Sequence, residues 1–295
     1  LTAAHDSPPV GLLAGVAAPP RPRDCAALRR RLTCATFFPA RSRMAPKSHA
    51  RWLVLLGVWV IYTAFGLVAA SLAPLVKLIE HDLGMSHAQM GGVMGAWQLV
   101  YIVAALPCGV LLDRLGARWA LLLGALCVAA SAHWRGEATS FAGLAAAVML
   151  VGVGGPIISA GAPKVIAQWF QGPSRGLAMG IYITGPALGG VACLTLTPAW
   201  LLPRFDNDWR FILSLWAGVT LVAGLVWLAL ASLPGVRDKT DERQSSSHAP
   251  HREVLMRLLR LPSVRLVLGM AVGVFMVSHG MSNWLPALLT HGGMP

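Results

Sequence analysis

The sequence predicts an all-α membrane protein, a bundle of hydrophobic helices that cross a bilayer several times. Three observations carry that expectation. Apolar residues make up 56% of the 295-residue chain and charged residues only 12%, against roughly 25% charge in a soluble domain. The apolar residues gather in runs close to the roughly 20 residues that span a hydrocarbon core. The charges, which sum to +12, sit in short segments between those runs. Basic segments beside apolar runs set membrane topology, so the excess of Lys and Arg does not imply nucleic-acid binding.

Residues 1–43 are rich in Pro, Ala and Arg and precede the first methionine, Met44. They read either as an Arg-rich transit peptide or as a disordered or non-native extension, and are set aside from the fold. Span 1 runs from Trp52 to about Leu75, and span 2 from Gly91 to about Leu112. Span 3 starts near Trp119 and fades by Trp134, so it is expected to be short. Span 4 covers Phe141–Ile166, span 5 Leu177–Leu202 and span 6 Phe211–Leu233. A polar linker over 234–265 follows, and span 7 runs from Leu266 to about Leu289. The domain plan is a six-helix bundle over 44–233, the linker, and the opening of a second bundle over 266–295.

Loop charge orients the bundle. The segments before span 1 (Lys47, Arg51), after span 2 (Arg114, Arg118) and after span 6 (Arg237 to Arg265) are basic. The loops after spans 1, 3 and 5 mix bases with acids: Lys77 with Glu80 and Asp82, Arg135 with Glu137, Arg204 and Arg210 with Asp206 and Asp208. The N-terminus and the 234–265 loop are therefore expected on the cytoplasmic side of a plasma or inner membrane. Gln244-Ser245-Ser246-Ser247 reads as solvated linker, and 253–261 as a short amphipathic helix on the membrane surface.

The loop after span 2 reads Gly109-Val-Leu-Leu-Asp113-Arg114-Leu-Gly116-Ala-Arg118. It resembles the signature loop of the major facilitator superfamily, Gly-x-x-x-Asp-Arg-x-Gly-x-Arg, in the position that family gives it. The resemblance covers roughly residues 50–290 and implies the facilitator fold, of which this chain looks like the N-terminal six-helix half plus helix 7 of a longer protein. It also implies a secondary transporter of a small solute that works by alternating access. Asp113 falls at the C-terminal end of span 2, where its charge opposes its own helix dipole, so it needs a partner. In the family that partner is a helix of the second half, and the contact holds the outward-facing state. Gly109 would let that helix approach, Gly116 permits the turn, and Arg114 and Arg118 hold the loop inside.

Span 5 carries Gly185-Pro186-Ala-Leu-Gly189-Gly190, which looks like part of the signature of facilitator antiporters and reads equally as close helix packing. The stretches Ala162–Phe170, Arg175–Gly180 and Asn283-Trp284-Leu285-Pro286 resemble the cyanate-like and other anion porters. That implies a small organic or inorganic anion as substrate, with a proton or a counter-substrate as the coupling partner. Val148 stands where drug exporters of the family carry Arg.

Facilitator sites lie at mid-membrane between the halves. The polar candidates are Tyr62 and Thr63 in span 1, Gln98 and Tyr101 in span 2, Tyr182 and Thr184 in span 5, and Ser278, His279, Ser282 and Asn283 in span 7. Gln98 shares a helix face with Tyr101, and His279 with Asn283. Lys164, near the inner end of span 4, reads as snorkelling to the headgroups.

Other classes fit less well. No cofactor and no metal are expected: the five cysteines (Cys25, Cys34, Cys108, Cys127, Cys193) have no zinc or disulfide spacing. No enzyme motif occurs. A retinal protein needs a span 7 lysine, and the last lysine is Lys239. A seven-helix receptor places its acid–Arg pair after span 3 rather than span 2. A non-transporting sensor or scaffold on the same fold remains an alternative. The implied partners are the lipid bilayer, the solute and its coupling ion, and a C-terminal half.

Overall fold

The computed structural model describes residues 48–237 and 260–291. The long helices are α1 Ser48–Ala70, α2 His87–Leu115, α3 Ala117–Gly136, α4 Phe141–Trp169, α5 Pro173–Leu196, α6 Trp209–Ala231 and α7 Pro262–His291. The first six are long and apolar enough to cross a membrane. Of the expected 234–265 linker, residues 238–259 lie outside the described residues, and with them most of the surface helix expected over 253–261. In α7 the described side chains over 265–274 are exposed. Those of His279 and Asn283 lie outside the described residues.

The boundaries have local causes. Ser86 and Gln89 form a reciprocal capping box that starts α2. Gly116, at φ +78°, ends α2 and begins α3 in a single residue, a conformation that suits a residue without Cβ. Ser140 and Asp208 cap α4 and α6 by accepting backbone N–H groups in the first turn.

α1 packs against α5 and α6, α4 packs against α2 and α3, and α3 meets α6. This pattern is unchanged when α1 is exchanged with α4, α2 with α5 and α3 with α6. The bundle is thus two three-helix units, and the alternation of span direction inverts one relative to the other, as in transporters built from inverted repeats.

Two sequence expectations change. The connection after span 1 is not a loop: it forms a short helix, Val76–Leu83, closed by Gly84 at φ +61°. It carries Asp82 to Arg210, whose Nη2 donates to Asp82 Oδ2 at 2.9 Å while Nη1 donates to the carbonyls of Gly136 and Ala138. Trp209 Nε1 donates to the same carboxylate. This strap ties the α1–α2 connection to the α3–α4 loop and the start of α6.

Span 3, at 20 residues, is longer than its hydropathy run but still the shortest of the six. α3 extends past both charges that bounded the hydropathy run, because Arg118 and Arg135 are buried within the bundle (9% and 2% exposed). Arg135 Nη1 donates to Val68 O at 3.0 Å and Ser71 Oγ at 3.1 Å. It therefore caps the C-terminal end of α1, where a cation complements the helix dipole. Arg135→Met should cost about 1–2 kcal/mol, since it removes two charge-assisted bonds while Val68 O keeps the Ser71 hydroxyl and amide as donors. A Tm unchanged from wild type in detergent would contradict this role.

Candidate functional site

Two arrangements concentrate the chemistry of the bundle: an ion pair at one end of α2 and an aromatic wall midway along α1, α2, α4 and α5.

The ion pair joins α2 to α4. Lys164 Nζ donates to Asp113 Oδ1 at 2.5 Å, with the side chains 18% and 35% exposed. Lys164 therefore does not snorkel to the headgroups: Asp113 lies within its reach and answers its charge inside the protein. In turn Lys164 offsets the unfavourable placement of Asp113 at the end of α2. The rest of the 109–118 segment is not a loop but the end of α2 and the start of α3, joined at Gly116. Arg114 is exposed, whereas Arg118 is buried, with its guanidinium 4.9 Å from the Trp119 ring and its carbonyl accepting from Trp227 Nε1. A Cβ on Gly109 would meet no atom within 4 Å among the described residues.

The wall uses all three tyrosines of the chain. Tyr62 lies between Phe65 and Tyr182, stacked on both, with ring centroids 6.0 and 5.5 Å away. Phe65 and Tyr101 converge on Gly155 of α4, where an added Cβ would lie 3.1 and 3.2 Å from their rings. Tyr101 meets Trp97 edge to face at 5.9 Å and shares a hydrogen bond with Ser159 at 2.5 Å. The order Tyr182–Tyr62–Phe65–Tyr101–Trp97 runs from α5 through α1 to α2. Gln98 Oε1, on the Tyr101 face of α2, is buried without a hydrogen-bond partner among the described residues.

Thr184 stands apart from the wall: it accepts from Trp59 Nε1 at 3.1 Å and donates to Ile181 O. Trp59, Phe65, Trp97 and Ser159 are not among the residues singled out from the sequence. The spacings Tyr62/Phe65 and Trp97/Tyr101 put these rings on common helix faces, and Ser159 is a hydroxyl within the apolar run of span 4, so both kinds of residue are legible in the sequence.

The glycines of α5 form a seam with α1. A Cβ on Gly189 would collide with Thr63 O, and one on Gly66 with Pro186. Gly185 lies against Thr63 and Trp59 O, at 3.1–3.2 Å from an added Cβ. Gly190 faces only Ala70, at 3.8 Å.

The family model of the Major Facilitator Superfamily matches residues 55–295. The chain belongs to this superfamily. As a member it is an integral, multi-pass membrane protein of a transporter family, not an enzyme. It is 25% identical over 193 residues to the D-galactonate transporter of Escherichia coli O6:H1, covering 64% of this chain and 44% of that protein. It is 26% identical to the galacturonate transporter of Dickeya chrysanthemi, covering 68% of this chain and 59% of that protein. To the 4-hydroxybenzoate transporter of Acinetobacter baylyi it is 24% identical, covering 78% and 51%. The chain thus spans about half the length of these relatives. The inward-facing, unoccupied crystal structure of a bacterial homologue of the human lysosomal transporter Spinster superposes with a TM-score of 0.64. It is 19% identical, and the match covers 81% of this chain and 55% of that one; this likeness concerns the fold.

Proposed function

We propose that this facilitator is a secondary active transporter of a small organic acid anion. Its α1–α6 bundle moves as one half of an alternating-access carrier. The observation that carries the reading is the signature segment on such a bundle, with Asp113 held at the C-terminal end of α2 by Lys164. The substrate class follows the relatives, whose names are those of galactonate, galacturonate and 4-hydroxybenzoate transporters. The N-terminus and the 234–265 segment lie on the cytoplasmic side, α7 opens the opposing bundle, and the solute binds between the two against the tyrosine wall. A proton or a counter-substrate couples the cycle, and Asp113 exchanges Lys164 for a partner in the other half as the inner side closes.

Uptake of a panel of labelled organic acids into proteoliposomes of the full-length protein tests this. Saturable uptake of at least one acid, abolished by excess unlabelled acid, is expected. Vesicles holding folded protein that take up every acid no faster than protein-free vesicles would overturn it.

A further inference from the structure

The polar groups around the aromatic wall are mostly spent on one another. Ser159 Oγ contacts Pro156 O as well as the Tyr101 hydroxyl. The Thr63 hydroxyl donates to Trp59 O, Trp59 Nε1 donates to Thr184, and Thr184 donates to Ile181 O. Three groups are left over. The hydroxyls of Tyr62 and Tyr182 have no hydrogen-bond partner among the described residues, and Gln98 Oε1 is buried and unsatisfied. The helices that build the wall also carry no Asp, Glu, Lys, Arg or His over 52–70, 88–112, 141–163 and 176–196. The next charge along α4, Lys164, is already taken by Asp113.

We propose that this half of the carrier receives the uncharged body of the solute on the Tyr182–Tyr62–Phe65–Tyr101–Trp97 wall, and that this body is flat and hydroxyl-poor, an aromatic ring above all. The inference rests on the organic-acid reading above and narrows it. A sugar acid carries a hydroxyl on nearly every carbon. Against this wall most of those hydroxyls would lose water without gaining a partner, and each one so stranded weakens binding by about tenfold. An aromatic body loses little water and gains edge and face contacts with the rings. One ring hydroxyl could still pair with the Tyr62 or Tyr182 hydroxyl, which unlike Gln98 Oε1 are not shielded. The carboxylate is left to groups outside these four helix segments.

Equilibrium binding to the purified full-length carrier, with benzoate, gluconate, benzyl alcohol and sorbitol as probes, tests the inference. Benzoate should bind at least about tenfold more tightly than gluconate, and benzyl alcohol more tightly than sorbitol. Tyr62→Phe should hold benzoate within about twofold of wild type, because the ring remains, while Tyr62→Ala should weaken it about tenfold. Gluconate binding as tightly as benzoate would overturn the narrowing and leave the organic-acid reading standing. Benzyl alcohol binding with neither acid bound would do the reverse. Binding of none of the four overturns both. Should Tyr62→Ala fail to fold, the wild-type preference alone decides.

Discussion

Gly189→Ala should unseat α5 from α1 and lower the stability of the bundle by on the order of 3 kcal/mol. The added methyl would collide with the Thr63 carbonyl and crowd the Leu67 amide, and both are backbone groups of α1. A flexible side chain could swing aside; a helix backbone can yield only by moving the helix. The effect should appear as a fall in Tm of about 6–12 °C for the purified carrier in mild detergent. Gly190→Ala, one residue on, is the control. Its Cβ would meet only Ala70 at ordinary contact distance, so it should stay within about 0.5 kcal/mol of wild type. If the two variants melt together, the α1–α5 seam is not as close as described.

Breaking the Asp113–Lys164 pair should damage transport more than any surface charge does. Asp113→Asn leaves the Lys164 ammonium half-buried without its partner, and Lys164→Gln leaves the carboxylate at a helix end that disfavours it. Each should reduce the uptake rate at least about tenfold, and the double variant should do less than the two combined, with a coupling on the order of 1–2 kcal/mol. Asp113→Ala should likewise exceed Lys77→Ala, since Lys77 is exposed on the short helix after α1. The swap Asp113→Lys with Lys164→Asp separates two roles. It restores the pair and should recover stability. It removes the acid from the end of α2, so uptake should stay low if Asp113 also meets the opposing half. Full recovery of uptake by the swap would reduce Asp113 to a partner for Lys164.

What was legible in the sequence tracks the physics of each feature. The six long helices could be read because lipid demands an unbroken apolar run for each. The turn at Gly116 could be read because only a residue without Cβ fits there comfortably. The full extent of α3 is not legible because hydropathy treats every arginine as a boundary. Arg135 is buried all the same, since it finds the end of α1, and no local pattern announces a partner that distant in sequence. Lys164 was misassigned for the same reason: its partner Asp113 comes from another helix. Tyr62, Tyr101 and Tyr182 could be picked out singly as polar residues in apolar spans. That they and Phe65 build one wall depends on helix neighbours, which span order alone does not determine.

Counterflow tests the alternating-access proposal most directly. Proteoliposomes of the full-length carrier are loaded with an unlabelled organic acid that it transports, then diluted into a trace of the labelled acid. A carrier that exposes one site to one side at a time should make the internal label rise above its equilibrium level and then decay. A monotonic approach to equilibrium would indicate a pore, and no entry above protein-free vesicles a non-transporting protein; either would contradict the account.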